Sequence, residues 1–260
     1  MRVATWNINS VRTRIDRAVA FLERNDVDVL AMQETKCSDD KFPYSAFEAA
    51  GYDVAHVGYH QWNGVAIISR VGLENVRDGF DGQPGFNKDP DAPQDREARA
   101  IAATCGGVDV WSLYVPNGRE IGDRHYDYKL EFLWRLAEQI DPSTPQVFCG
   151  DYNIAPTDKD VWDRAFFEGK THVTEPERAA FEALLEAGLN QATHPEPYSY
   201  WDYKGMRFQK GEGMLIDFQL SGLEGAGFVD THEREGKGAS DHAPVVVDYD
   251  LARLQLDEVR

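Results

Sequence analysis

The sequence is poor in cysteine and contains no long apolar run. Its three cysteines, Cys37, Cys105 and Cys149, lie far apart and form no CxxC pair, which argues against a disulfide framework and a zinc site. No segment approaches the roughly 18 to 20 apolar residues that span a bilayer. The first residues include no apolar signal segment. We therefore expect a reduced, cytoplasmic protein with no membrane partner.

Basic residues are also scarce. Lys and Arg number 27 against 45 Asp and Glu, so the formal net charge is -18. This balance argues against a protein that coats DNA through general positive charge. It leaves a nuclease possible, because metal-dependent sites need clustered carboxylates and a local basic rim can hold DNA. Most of the acidic residues are expected to form a solvated surface.

The 260 residues, 42% of them hydrophobic, are enough for one large core. We predict a single catalytic domain over residues 1–250 and a C-terminal tail over 251–260. Apolar patterning predicts strands over 2–8, 27–32, 65–69, 99–104, 108–115, 145–149, 215–220 and 244–249. Helices are predicted over 12–25, 124–140 and from Thr174 to near Gly188, and 78–97 is predicted to be an exposed loop.

Many strands follow one another without an intervening helix. This order favours an α/β protein built as a four-layer α/β sandwich, with two packed, mainly antiparallel sheets flanked by helices. Thr174 and Glu177 match a capping box at the start of the third helix. In the helix over 124–140, the inward face is predicted to consist of Tyr126, Leu130, Leu133, Trp134 and Ala137.

Polar side chains stand where four apolar strands begin or end. They are Asn7, Glu34, the pair Asp151 and Asn153, and the pair Asp241 and His242. Any one of them alone is more often a turn former or a helix cap. Four such positions together indicate a site, because loops at strand ends collect functional groups.

The residue types suit phosphodiester hydrolysis. Glu34 and Asp241 offer hard oxygen ligands for Mg²⁺ or Mn²⁺, and Asp151 can orient or deprotonate a water. Asn153 can donate a hydrogen bond without adding negative charge, and a protonated His242 can stabilise charge on the phosphate. The remaining histidines are interpreted as structural: His56, His60, His125, His172, His194 and His232.

A series of motifs extends over almost the whole chain. In order they are Thr5-Trp6-Asn7-Ile8-Asn9-Ser10, Gln33-Glu34-Thr35-Lys36, Asn63-Gly64-Val65-Ala66, Tyr114-Val115-Pro116-Asn117-Gly118, Gly150-Asp151-Tyr152-Asn153-Ile154, Leu215-Ile216-Asp217 and Ser240-Asp241-His242-Ala243-Pro244. With these motifs the sequence resembles the exonuclease III family of apurinic/apyrimidinic endonucleases, within the endonuclease/exonuclease/phosphatase superfamily. The resemblance implies a fold like that of deoxyribonuclease I.

The resemblance also implies residue roles. Tyr114 is expected to contact the phosphate, and Asp217 to orient the catalytic His242. The expected metal ligands are Asn7, Glu34, Asp151, Asn153, Asp241 and His242. The expected DNA contacts are Lys36, Arg99, Asn117, Arg119, Lys129, Lys204 and Lys210. An apolar wall for an abasic sugar is expected from Tyr200, Trp201, Met214 and Ile216.

The implied activity is cleavage on the 5′ side of abasic sites in double-stranded DNA. Exonuclease action in the 3′-to-5′ direction and removal of blocked 3′ ends would use the same centre, with Mg²⁺ as cofactor and Mn²⁺ as substitute, in a monomer. Leu215 stands where the family commonly has Arg, which predicts weaker DNA binding. Two alternatives remain: a small-molecule or lipid phosphatase of the same superfamily, and a DNA-binding protein without activity.

Overall fold

A computed structural model describes residues 1–252 of the chain. Residues 253–260, which make up most of the predicted tail, lie outside the described residues. The strands are β1 (Arg2–Asn7), β2 (Val29–Gln33), β3 (Asp53–Val57), β4 (Val65–Ser69), β5 (Glu74–Asp78), β6 (Ala100–Cys105), β7 (Val108–Tyr114), β8 (Gln146–Asp151), β9 (Asn190–Gln191), β10 (Asp217–Ser221), β11 (Gly225–Val229) and β12 (Val245–Tyr249).

These strands form two six-stranded sheets. The first has the order β11-β12-β1-β2-β4-β3 and the second the order β5-β6-β7-β8-β10-β9. β1 pairs with β2 and β7 with β8 in parallel, whereas the other pairings between these strands are antiparallel. The prediction of two mainly antiparallel sheets is confirmed.

Helices cover the outer faces of both sheets, which makes four layers. They are α1 (Ile15–Arg24), α2 (Tyr44–Ala49), α3 (Arg124–Ala137) and α4 (Glu175–Glu186). The single turn α5 (Arg207–Lys210) instead packs Phe208 against the core between the sheets. Phe21 and Phe47 of α1 and α2 pack on the first sheet, and Phe132 and Phe181 of α3 and α4 pack on the second. In the part of the chain described, no helix has the length and apolar character needed to cross a membrane.

The central core lies between the sheets. In β1, Val3 faces this core while Ala4 and Trp6 face the helices, because successive side chains of a strand point to opposite faces. Both faces are buried, so the strand reads as a continuous apolar run rather than an alternating one. Burial of each such side chain contributes about 1.5–3 kcal/mol of transfer free energy.

One prediction about the elements needs correction. Trp134 was expected to face inward, but its side chain is 49% exposed, because α3 buries Phe132, Leu133 and Leu136 instead. Each residue of an α-helix is rotated by about 100° from the one before it. Trp134 therefore lies off the buried face that carries Leu133 and points to solvent. The short strands β3, β5, β9 and β11 were not predicted. The capping box of Thr174 and Glu177 is confirmed.

Candidate active site

The ends of four strands meet at one edge of the sandwich. β1 and β2 run in parallel and so do β7 and β8, so each pair brings its carboxyl ends to the same edge. Tyr114 of β7 pairs with Asp151 of β8, and Asp151 in turn pairs with Asp217 of β10. The strand register therefore places three candidate residues on adjacent strands.

Asn7 joins the two sheets at this edge. Its side-chain amide nitrogen lies 3.0 Å from Oε1 of Glu34 and 3.0 Å from Oδ2 of Asp151, and the whole side chain is buried. One amide group therefore donates to a carboxylate from each sheet. This position gives Asn7 a defined task, which is to hold two negatively charged groups close together.

Glu34 adopts a left-handed backbone conformation, with φ of 51°. Such a conformation is uncommon outside glycine and is frequent at functional sites. The Nζ atom of Lys36 lies 2.8 Å from Oε2 of Glu34. Burial alone would raise the pKa of Glu34, but Lys36 and the Asn7 amide lower it, so the carboxylate is ionised at neutral pH.

Asp217, His242 and Asp151 form a line of three polar side chains. Oδ2 of Asp217 lies 2.8 Å from Nδ1 of His242 and accepts a hydrogen bond of 2.6 Å from the Ser199 hydroxyl. On the other side of the ring, Nε2 lies 3.7 Å from Oδ2 of Asp151. The Asp217 carboxylate therefore orients the ring through Nδ1, and the Asp151 carboxylate faces Nε2.

The charges in this line follow from burial and proximity. Burial alone would lower the pKa of His242, but Asp217 and Asp151 raise it to about 10, so the ring is positively charged at neutral pH. Burial raises the pKa of Asp151 to about 7, although the His242 charge opposes this. A cation bound beside Asp151 would lower that value further. The geometry therefore places a positively charged ring next to the Asp151 carboxylate.

Asn153 also has a left-handed backbone, with φ of 52°. Its amide nitrogen donates to the carbonyl oxygen of Val115 over 3.0 Å, and its Oδ1 lies 3.1 Å from the amide nitrogen of Asn117 and 3.1 Å from Nε2 of His172. The amide nitrogen has two hydrogens, so a second donor remains for a substrate oxygen.

Asp241 and Tyr114 complete the set. Oδ1 of Asp241 accepts a hydrogen bond of 3.0 Å from the side-chain amide of Asn9, which belongs to the same motif as Asn7. Burial and the Glu34 carboxylate raise the pKa of Tyr114 well above its ordinary value, so its phenol remains a neutral donor. The Arg99 guanidinium lies 4.7 Å from the centre of the Tyr114 ring.

The ligand chemistry fits a hard divalent cation. Glu34 and Asp151 supply carboxylate oxygens that share one Asn7 amide, and thiolates, which zinc sites use, are not among the site residues. Among the described residues, ligand atoms of Asp151, Asp217 and His242 also lie within 4.8 Å of one another. In that group, however, Oδ2 of Asp217 already accepts hydrogen bonds from Ser199 and His242. The arrangement of the three residues is therefore that of a histidine oriented by a carboxylate.

The residues expected to contact DNA fall into an exposed group and a buried group. Asn117 and Arg119 are exposed next to Tyr114, and Lys204 and Lys210 are exposed in the segment around α5. Arg99 is 5% exposed and paired with Glu97 at 2.7 Å. The prediction for Lys129 needs correction, because this side chain is fully buried and paired with Glu177.

The residues expected to form the apolar wall also lie in two different places. Met214 and Ile216 lie in a small apolar cluster that Tyr200 packs against, and the Tyr200 ring is 4.9 Å from the His242 ring. Trp201 was expected in this wall, but its ring is buried in the core between the sheets. Its backbone nitrogen donates to the carbonyl oxygen of Asp241 over 2.9 Å, so Trp201 helps to position that residue.

Sequence reasoning missed three residues that support the site. Asn9 binds Asp241, Ser199 binds Asp217, and His172 binds Asn153. Asn9 lies within the first motif, which was a usable signal. Ser199 and His172 lie in segments without a motif, and only the tertiary structure brings them to the site.

The match to known families agrees with this geometry. Residues 4–242 match the model of the Endonuclease/Exonuclease/phosphatase family. The chain belongs to this family. Members of the family are metal-dependent nucleases and phosphatases, and the buried group of acidic residues and histidine found here suits such chemistry.

Similar proteins cover nearly the whole chain. An exodeoxyribonuclease III of Haemophilus influenzae is 29% identical over 96% of this chain and 100% of its own length. Among solved structures, an AP endonuclease from Archaeoglobus fulgidus is 32% identical, with a TM-score of 0.85 and coverage of 96% of this chain and 99% of its own. The 3′ phosphatase NExo from Neisseria, bound to a product DNA hairpin, is 34% identical, with a TM-score of 0.86 and the same coverage.

Proposed function

We propose that this DNA repair nuclease cleaves the phosphodiester on the 5′ side of abasic sites in duplex DNA. The same centre would remove nucleotides and blocking groups, including phosphates, from 3′ ends. The observation that carries the proposal is the His242 ring, held 2.8 Å from Asp217 and 3.7 Å from Asp151 at the edge where Glu34 and Asn7 also converge. The AP endonuclease and 3′ phosphatase among the similar structures support both substrate types.

Each residue has a task in hydrolysis. Asp151 orients the attacking water and accepts its proton, as a carboxylate base next to the His242 ring can. The positively charged His242, the free N–H of Asn153 and the Tyr114 phenol hold the phosphate oxygens. Asp217 keeps the His242 ring oriented.

Glu34 and Asp241, with Asn7 beside them, are the residues that would hold Mg²⁺, or Mn²⁺ as its substitute. The ionised state of Glu34 and the convergence of its carboxylate with that of Asp151 support this assignment. Asp151 stands beside these ligands, so we keep it in the proposed metal set, whereas the Asn153 amide and the positively charged His242 are assigned to the phosphate, because a protonated ring has no lone pair for a metal. A divalent cation bound there supplies positive charge at the scissile phosphate and its leaving oxygen.

The DNA would cross the edge that carries these residues. A cleft of about 470 Å³ beside Tyr114 is lined by Trp62, Lys88, Arg99 and Arg119, so aromatic and basic groups are mixed there. Lys36, close to Glu34, would contact the DNA at this edge. Met214 and Ile216 would support the wall against an abasic sugar.

We propose that residues 1–250 act as one domain and as a monomer in the cytoplasm, where the free thiols stay reduced.

The test is a duplex with one synthetic abasic site and a second duplex with a 3′-phosphate, each incubated with Mg²⁺ and then with EDTA. We expect metal-dependent nicking and phosphate release that Mn²⁺ also supports. Asp151→Asn should lower kcat about 10³-fold, because the water loses its proton acceptor. Asp141→Asn, at an exposed position in the turn before β8, is the matched control. Unchanged nicking by Asp151→Asn would refute the assigned base.

A further inference from the structure

A buried ion pair lies beneath the candidate active site. Lys129 of α3 and Glu177 of α4 contact each other, and neither side chain has any exposed surface. The two residues are 48 positions apart in the sequence. Sequence reasoning assigned Lys129 to the DNA surface, but its side chain is buried. The function proposed above therefore gives the pair no role.

Lys129 holds two chain segments near Asn153. Its Nζ atom donates to the backbone carbonyl oxygen of Asn153 over 2.6 Å and to that of Asn117 over 3.2 Å. Glu177 holds a third segment, because its carboxylate accepts hydrogen bonds from the backbone nitrogens of His172, over 2.9 Å, and Thr174, over 3.1 Å. Three separate segments are therefore fixed by one pair of charges.

Those segments carry the groups that orient the Asn153 side chain. Oδ1 of Asn153 lies 3.1 Å from the Asn117 amide nitrogen and 3.1 Å from Nε2 of His172. The left-handed backbone of Asn153, with φ of 52°, is a conformation that surrounding contacts must impose. The Lys129 ammonium bonded to the Asn153 carbonyl is one such contact.

Each member of the pair opposes the effect that burial has on the pKa of the other. Burial lowers the pKa of Lys129, and Glu177 opposes that shift. Burial alone would raise the pKa of Glu177, but the Lys129 ammonium lowers it below its ordinary value. Well-packed apolar residues at such positions often stabilise a protein as well as an ion pair does. Stability alone therefore gives no reason to keep the charges here.

We propose that Lys129 and Glu177 are a positioning pair for the reaction. They set the place and orientation of the Asn153 amide at the edge where the phosphate would bind, and they act through Asn153 without touching the substrate. The proposal rests on the function proposed above. Loss of the pair should lower kcat more than it changes KM, because the misplaced amide no longer meets the reacting phosphate.

The test compares Lys129→Met, Asn153→Ala and the variant that carries both. We expect Lys129→Met to lower kcat about 10- to 100-fold, the range found for supporting residues of catalytic groups. If Lys129 acts through Asn153, the combined variant should be no slower than Asn153→Ala to within about twofold. Lys129→Arg, which keeps charge and donors, should recover part of the activity. Multiplied reductions of kcat in the combined variant would overturn the proposal.

A second variant separates positioning from folding. Lys129→Met combined with Glu177→Leu leaves no unpaired buried charge, and circular dichroism melting checks that it folds. We expect a single cooperative melt at a lower temperature than that of the wild type, because Glu177→Leu also removes the cap of α4, and a kcat as low as that of Lys129→Met. Wild-type kcat in this variant would overturn the proposal. Lys159→Met, at an exposed position outside the site, is the matched control.

A crystal structure of Lys129→Met gives a readout that does not depend on activity. We expect Asn153 to leave its left-handed conformation or to lose the hydrogen bond to Val115. An unchanged Asn153 would contradict the positioning role. If the wild type proves inactive on DNA, the proposed function fails, whereas this structural test still decides whether the pair positions Asn153.

Discussion

The site has two regions of different character, a floor and a rim. We define the floor as Asn7, Asp151, Asp217 and His242, which are buried. We define the rim as the basic residues Arg119, Lys204 and Lys210, which are exposed. Floor side chains make hydrogen bonds to one another or to neighbours such as Glu34 and Ser199, whereas the rim lies in turns and short helical segments.

This difference sets how strongly each region should respond to mutation. A buried polar group that loses its partner keeps its full desolvation cost, and its neighbours lose their orientation. An exposed cation is screened by salt and is replaceable by its neighbours. The floor should therefore govern kcat and pH dependence, and the rim should govern DNA affinity and its dependence on salt.

After the loss expected for Asp151→Asn, the largest expected effect in the floor is at Asp217. Asp217→Asn removes the charge that raises the pKa of His242 and weakens the hold on its ring. We expect kcat to fall about 10- to 100-fold. The alkaline limb of the pH profile should move to lower pH, because His242 then loses its proton at a lower pH. A reduced rate with an unmoved alkaline limb would show that Asp217 does not act through the His242 charge.

A smaller effect is expected at His125, on the border between floor and rim. Its Nδ1 accepts a hydrogen bond of 3.1 Å from the backbone nitrogen of Gly118, next to Asn117. Burial lowers the pKa of His125 to about 4, below the ordinary value of about 6.5, so only the neutral ring fits. The stability that depends on the neutral ring is complete above pH about 6.5 and is lost as pH falls towards 4.

His125→Gln keeps an acceptor for Gly118 without a titrating ring. Urea unfolding of this variant and the wild type between pH 7 and 4 should diverge by about 2 kcal/mol, with the wild type losing more stability. The comparison between the two proteins cancels the titration of carboxylates elsewhere. Parallel curves for the two proteins would show that protonation of His125 does not destabilise the fold.

The smallest expected effect is in the rim, at Lys204 and Lys210. Replacement of both by Gln should weaken binding of abasic duplex, measured by fluorescence anisotropy in EDTA, a few-fold at moderate salt. The slope of log affinity against log salt should fall by about 1 for each DNA phosphate that the variant no longer neutralises. We expect kcat at saturating DNA to stay as in the wild type. Arg135→Gln, at an exposed position of α3, is the control. A fall in kcat equal to that of the floor variants would remove the distinction between the two regions.

Much of the fold and floor was predictable from local sequence. Asn7, Glu34 and Asp151 stand at the ends of strands whose side chains are buried on both faces, so the apolar run and its polar end are visible in the sequence. The capping box of Thr174 and Glu177 was equally legible, because its hydrogen bonds join residues three apart. Exposed strand β5, in contrast, has no apolar pattern to reveal it.

The sequence by itself determined which residues we propose for the chemistry, since the strand ends and motifs identify the floor through short-range patterns. Only the tertiary structure decided which basic and aromatic side chains reach the surface. Lys129 and Trp201 look like surface candidates in the sequence, yet both are buried. The physical reason is that burial of a charge depends on a partner brought close by folding, and Glu177, which neutralises Lys129, comes from another helix.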